Sequence, residues 1–151
     1  MYNKEVQKDF DAWNRRKKKL DASDHQPPLV SDGEMWWASV GENVGSEIGG
    51  KSILFSRPVI IFRKLAHGFY FVIPSTSRKK KGSWYVEFKQ HGKDMVACLQ
   101  QARAIDHRRI SSKLGTLDDE DFARVKTGFA SLYLKQKFPA IAGGAAGESR
   151  M

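Results

Sequence analysis

Residues 57–74 read Arg57-Pro-Val-Ile-Ile-Phe-Arg63, Lys64-Leu-Ala-His-Gly68 and Phe69-Tyr-Phe-Val-Ile-Pro74. Two runs of β-branched and aromatic residues flank a short turn at His67-Gly68, which is the pattern of neighbouring strands. Pro58 falls at the start of the first run, where a missing N–H is tolerated. Working outward, Glu34-Met-Trp-Trp-Ala-Ser-Val40 predicts an earlier strand, followed by a glycine-rich loop from Gly41 to Ser56 that holds Gly41, Gly45, Gly49 and Gly50. Downstream, a polar turn from Ser75 to Gly82 carries Arg78-Lys-Lys-Lys81, and both Ser83-Trp-Tyr-Val-Glu-Phe88 and Met95 to Gln101 read as further strands. Short strands at this spacing predict a compact barrel or a strongly bent sheet.

The ends are helical. Val6, Phe10, Trp13 and Leu20 recur at helical spacing, predicting a helix over residues 3–20. Its basic run, Arg15 to Lys19, reads first as a solvated last turn that the helix dipole favours. Asp21 to Ser31, with Pro27-Pro28, is a linker no helix can continue through. Thr116-Leu-Asp-Asp119 has the form of a capping box. The stripe Phe122, Val125, Phe129, Leu132 and Tyr133 then predicts a helix covering the sheet, ended by Pro139 and followed by a small-residue tail. The organisation expected is an N-terminal helical extension (1–22), a linker (23–31), the main domain (32–138) and a flexible tail (139–151).

The chain has 151 residues, with 26 Lys and Arg against 17 Asp and Glu, a net charge of +9 and a pI near 9.7. A field of that sign attracts polyanions. Cys98 is the sole cysteine, so no intrachain disulfide forms, in keeping with a reducing cytoplasm. The first residues lack the apolar core of a signal peptide, and no run approaches the roughly 20 apolar residues of a membrane span. The expectation is a cytoplasmic protein away from the membrane.

Five blocks occur in order: Gly33-Glu-Met-Trp-Trp37, Gly45-Ser-Glu-Ile-Gly-Gly50, Arg57-Pro-Val-Ile-Ile61, Ile73-Pro-Ser-Thr-Ser77 and Gln101-Ala-Arg-Ala-Ile-Asp106. Together and in register they make the chain resemble the MazF/PemK family of bacterial toxin–antitoxin systems over about residues 32–135. The resemblance implies a mainly β, α+β fold: an SH3-like small barrel with a C-terminal helix, the N-terminal helix being extra. It also implies a homodimer that cleaves single-stranded RNA sequence-selectively and without metal or other cofactor. The products expected are a 2′,3′-cyclic phosphate and a 5′-hydroxyl. A cognate antitoxin, with an acidic flexible C-terminal segment in the RNA groove, is the implied protein partner.

Chemistry gives these residues roles. RNA carries its own nucleophile, so cleavage needs the charge on the phosphorane neutralised, and that is often the largest contribution. Arg57 suits this, since a guanidinium stays charged and can fork two phosphate oxygens; the family match makes it the catalytic arginine. Thr76, read as lying in the turn after a strand, can donate to a phosphoryl oxygen, with Ser75 and Ser77 as flanking helpers. Glu47 and Glu34 are carboxylates that either act as base or orient Arg57. Some family members have Arg-x-Asp before the Gln of the last block; here Cys98, Leu99 and Gln100 stand there, so that acid–base pair is missing. His67, His91 and His107 show no spacing for a paired-histidine mechanism, and no cluster has metal-ligand spacing.

For binding, Arg78, Lys79, Lys80 and Lys81 are read as RNA contacts, against a solvated hairpin tip. Trp36, Trp37 and Trp84 can stack bases, although Trp36 and Trp37 point to opposite faces of a strand, so at least one belongs to the core. Gln101, with Arg103 and Asp106, is structural or close to the RNA. The N-terminal helix is expected to pack its apolar face on the barrel or a dimer partner. Two alternatives are carried. A CcdB-like barrel toxin would act on a protein target, but the blocks at Arg57 and Thr76 argue against it. A non-catalytic nucleic-acid-binding barrel rests on charge and aromatics alone.

Overall fold

A computed structural model describes residues 7–134. Helix α1 (Phe10–Asp21) precedes strands β1 (Glu34–Ser39), β2 (Ser56–Ala66), β3 (Phe69–Thr76), β4 (Tyr85–Gln90) and β5 (Lys93–Cys98). After a 3-10 turn at Leu99–Gln101 come β6 (Arg103–Asp106), a second 3-10 turn at His107–Arg109, β7 (Ile110–Thr116) and helix α2 (Asp119–Leu134). The fold is α+β, as the blocks implied.

Every strand pairing is antiparallel, in the order β4-β5-β3-β2-β1-β7, with β6 also on β3. β3 changes partner along its length. Phe69 to Val72 pair with β6, whereas Ser75 and Thr76 pair with β5. Pro74 belongs to neither of those ladders, so its missing N–H interrupts neither. The backbone ladder does not close from β4 to β7, so the structure is a bent open sheet rather than a sealed barrel. Side chains span the gap instead: Gln90 Nε2 and His91 Nε2 donate to the Leu114 carbonyl at 3.2 and 2.9 Å.

The middle of β2, Val59 to Ile61, is buried on both faces, and alternation explains how. Val59 and Ile61 join Trp36, Ala38, Tyr70 and Val72 in one cluster, while Ile60 joins Met35, Ile73, Leu99 and Val125 in the other. α2 covers the second cluster, with Phe129 packed 4.6 Å from Phe62 and 5.7 Å from Phe71 between ring centroids.

Local structure departs from expectation in four places. α1 starts at Phe10, with residues 7–9 outside the helix, because the Asp9 carboxylate caps it by accepting the Ala12 N–H at 2.9 Å. Of its apolar stripe only Trp13 is buried and Phe10 is exposed; Val6 lies outside the described residues. The α2 cap is two residues later than the predicted box. Thr116 is held in the β7 ladder opposite Glu34, leaving Asp118 to accept the Asp121 N–H at 2.9 Å. β6 and β7 occupy a stretch that shows no alternation in sequence. Thr76 ends β3 instead of sitting in the turn beyond it. The helix stop at Pro139 and the tail at 139–151 lie outside the described residues.

Candidate functional site

The glycine-rich loop returns the chain to the start of β2, and this return fixes Arg57. Val40 and Gly41 N–H groups both donate to the Phe55 carbonyl, at 2.9 and 3.2 Å, which pinches the loop's neck. Arg57 Nε donates to the Gly49 carbonyl at 2.7 Å, and Nη1 to the Ser75 carbonyl at 3.3 Å. Val59 pairs with Pro74; continuing that antiparallel register by two residues sets Arg57 opposite Thr76. Among the described residues no carboxylate lies within ion-pair distance of Arg57. Burial lowers the guanidinium's pKa from its ordinary value, Cys98 opposes this, and nearby Arg78 adds to it; a guanidinium nevertheless stays protonated.

Arg57 and Thr76 line one groove of about 770 Å³. Its cations are Lys51, Arg57, Arg78 and Lys80, its aromatic wall is Trp84 and Tyr85, and among the described residues no Asp, Glu or His contributes to its lining. Thr76 Oγ1 accepts the Arg78 N–H at 3.2 Å, an arrangement that ties the basic turn back to the strand end. Trp84 is 54% exposed, so its ring face is open to a flat ligand. Tyr85 OH accepts from Gln100 Nε2 at 2.9 Å, while Gln100 Oε1 is buried without a partner. Such a constellation can bind a polyanion and stack a planar group, and its guanidinium can offset charge on phosphorus.

The other expected residues divide. Arg78 and Lys80 line the groove; Lys79 and Lys81 line a neighbouring depression with Lys80 and Ser77. Gln101 lines the groove, but its amide is spent on the loop: Oε1 accepts the Ile48 N–H at 2.9 Å and Nε2 donates to the Ser46 carbonyl at 2.9 Å. Ser75 is fully buried, its hydroxyl donating to the Pro58 carbonyl at 2.9 Å, so it cannot meet RNA. Trp36 is also a correction. It is 7% exposed and its indole N–H donates to Glu34 Oε1 at 3.0 Å, so Trp36 is core and Trp37 is the outward ring.

The carboxylates are elsewhere. Glu47 is exposed, accepts the Val44 N–H at 2.9 Å within its own turn, and contributes nothing to the groove lining. Glu34 sits at the far end of β1 from the residue paired with Arg57, bridged to Lys113 at 3.0 Å. Neither orients the guanidinium; two main-chain carbonyls do that. Arg103 and Asp106 pair with Val72 and Phe69 in the β3–β6 ladder. His107 does form a histidine pair, with His25 at 2.9 Å between Nδ1 atoms, but neither lines the groove.

Sequence reasoning missed Lys51, Tyr85 and Gln100. Lys51 lies in a loop with no periodicity, and only the pinched neck returns it to Arg57's side. Gln100 had a signal: it and Cys98 stand at the positions where some family members carry an acid–base pair, and both face the groove. Burial raises the Cys98 thiol pKa, with Arg57 and Lys80 opposing; a protonated buried thiol is a poor nucleophile.

Comparison with known proteins bears on the family and the fold. The family described as PemK-like, MazF-like toxin of type II toxin–antitoxin system matches residues 31–133. Endoribonuclease EndoA of Bacillus subtilis (strain 168) is 32% identical, over 64% of this chain and 88% of its own length. The crystal structure of MazF (form I) from Deinococcus radiodurans superposes with a TM-score of 0.59 at 26% identity, covering 72% of this chain and all of that one. An endoribonuclease in complex with its cognate antitoxin, from a mycobacterial species, is similar in fold alone, with a TM-score of 0.57 at 12% identity, covering 74% of this chain and 100% of that chain.

Proposed function

The chain belongs to the PemK-like, MazF-like toxin family of type II toxin–antitoxin systems and is an endoribonuclease, and from that premise we propose that the groove at Arg57 and Thr76 is where it cuts single-stranded RNA. The observation that carries the reading is a groove with Lys51, Arg57, Arg78 and Lys80 in its lining and, among the described residues, no carboxylate lining it.

The ribose 2′-oxygen attacks the adjacent phosphorus, and the bond from phosphorus to the 5′-oxygen breaks. The products are a 2′,3′-cyclic phosphate and a 5′-hydroxyl, with the 2′ proton lost and one proton gained by the leaving oxygen. Arg57 offsets the charge building on the equatorial oxygens, pre-aimed by Gly49 and Ser75 so that no reorganisation is needed as the charge develops. Thr76 Oγ1, which accepts from Arg78, has its own hydrogen free for a phosphoryl oxygen. With no carboxylate or imidazole among the described residues of the lining, water takes the 2′ proton, and the rate rests on electrostatic stabilisation. No metal takes part in this step. Trp84 stacks a base, and groove shape selects the sequence.

The same charge suits an acidic antitoxin segment, which would compete with RNA for the groove. A homodimer, with one groove contributed by each chain, completes the reading. The test is a digest of a long RNA in EDTA with end-group analysis, wild type against Arg57→Ala and Thr76→Ala. Cyclic-phosphate ends from the wild type and a loss on the order of 10²–10³-fold in Arg57→Ala are expected. Undiminished cutting by Arg57→Ala would refute the site.

A further inference from the structure

The segment preceding the family match is fastened to the loop that holds Arg57. Lys8 Nζ donates to the Asn43 and Gly45 carbonyls at 2.6 and 3.1 Å. The Asp9 N–H donates to Glu42 Oε2 at 3.2 Å. Trp13 is buried against Phe55, 5.5 Å between ring centroids, and fills the space over Gly41. Gly41 has φ +98°, and a side chain there would collide with the indole. The Arg109 guanidinium lies 5.5 Å over the Trp13 ring and donates to the Ser39 carbonyl at 3.1 Å, anchoring the indole to the end of β1.

These contacts fall on the loop's neck and first turn. Phe55 receives the N–H groups of Val40 and Gly41, and Gly50 N–H donates to the Gly41 carbonyl at 2.8 Å. Gly49, adjacent to Gly50, supplies the carbonyl that takes Arg57 Nε. A continuous path therefore runs from Trp13 through Gly41 and Phe55 to Gly50, Gly49 and the guanidinium. A loop holding Gly41, Gly45, Gly49 and Gly50 has much backbone freedom to lose, so whatever fixes it governs how well Arg57 is aimed.

We propose that residues 8–21 act as a brace behind this loop, with Trp13 and Lys8 as positioning residues that set Arg57 for RNA cleavage. The proposal rests on the nuclease reading of Arg57. The brace lowers the reorganisation needed at the phosphorus, so its loss reads out in turnover more than in substrate affinity. Misplacement of a catalytic group by about 1 Å costs about 10²-fold in rate.

The experiment compares full-length wild type, Lys8→Ala, Trp13→Ala and Arg57→Ala by amide hydrogen exchange and by steady-state cutting of a labelled oligoribonucleotide. Lys8→Ala touches only loop carbonyls, so it folds even if Trp13→Ala does not. Expected is faster exchange at Gly41, Gly50 and their loop neighbours, with α2 and the β4–β5 hairpin unchanged. Turnover falls by up to about 10²-fold for Trp13→Ala, less for Lys8→Ala, with KM changed far less. Wild-type loop exchange in both variants overturns the brace, as does loosening spread evenly through the chain. A loosened loop with undiminished turnover, while Arg57→Ala is inactive, also overturns it. If Arg57→Ala cuts normally, the nuclease reading of Arg57 fails instead, and loop exchange alone decides whether the brace exists.

Discussion

At the scale of single residues, Arg57 is set apart by what holds it. Its partners are the Gly49 and Ser75 carbonyls, which orient a guanidinium without neutralising it. Lysine keeps the charge but cannot donate to both carbonyls and still fork a phosphate. Arg57→Lys is therefore expected to lower single-turnover cleavage by on the order of 10²-fold, with the unfolding midpoint little changed. Glu34 is the opposite kind of residue. Burial pushes its pKa up, but hydrogen bonds from the Ser31 N–H, Trp36 and Lys113 outweigh that and hold it below the ordinary value. A depressed carboxylate contributes stability above its unfolded pKa, and that contribution is lost as pH falls through the folded value. Glu34→Gln is thus expected to cost about 1–3 kcal/mol at neutral pH and much less in acid, read from urea midpoints at both. That Arg57 and Thr76 lie in one groove was legible because their blocks are local in sequence. The displacement of Glu47, and the burial of Ser75 and Trp36, were not: they depend on which neighbour claims each polar atom, near in the chain for Glu47 and Trp36 and far for Ser75. Ser75 is claimed by Pro58, and Glu47 by its own turn.

At the scale of elements, the strands with clean alternation were readable and those at the sheet's margin were not. The middle of β2 and most of β3 are buried on both faces, and their apolar runs announce it. β7 alone lies beyond β1, its middle residues Ser111, Ser112 and Lys113 are exposed, and its pairing with β1 contains register shifts. An edge strand with bulges loses the period-two signal. The α2 boundary also turned on context, since the β7 ladder takes Thr116 and leaves Asp118 as the cap. Asp118→Ala is expected to lower stability by about 0.5–2 kcal/mol, as a shift in urea midpoint at unchanged slope. The linker after α1 is tied to the second 3-10 turn by the His25–His107 pair. Burial lowers the His107 pKa; Asp106 opposes, and Arg108, His25 and His67 reinforce. Because the folded value is depressed, the unfolded chain binds the proton more readily, and this contribution is present above about pH 6.5 and lost below it. Protonation of His107 would also make its Nδ1 a donor toward the His25 ring. The urea midpoint should therefore fall between about pH 7.5 and about pH 5.5, and fall less in His25→Ala.

At the scale of the whole molecule, the excess of 26 cations over 17 anions is not spread evenly. One concentration is the groove, where Lys51, Arg57, Arg78 and Lys80 meet no acid among the described residues of its lining. Another is α1, whose Lys17 and Lys18 face a separate cleft shared with Arg108, Arg109 and the carboxylates of Asp21 and Asp106. Net charge alone assigns both to nucleic acid, but geometry separates them, since only the groove combines uncompensated cations with an open aromatic face at Trp84 and Tyr85. Counterion release turns that distinction into a measurement. Each phosphate neutralised by a groove cation contributes about 0.7 to the log–log salt slope of single-strand binding. Lys51→Gln and Lys80→Gln should each reduce the slope by about that amount, measured with a non-cleavable oligonucleotide carrying a 2′-deoxy scissile position. Lys17→Gln and Lys18→Gln should leave the slope unchanged, because their ammonium groups serve the other cleft. Equal reductions from both sets would mean that RNA tracks across α1 as well, and the groove would then be only part of a longer path over the molecule.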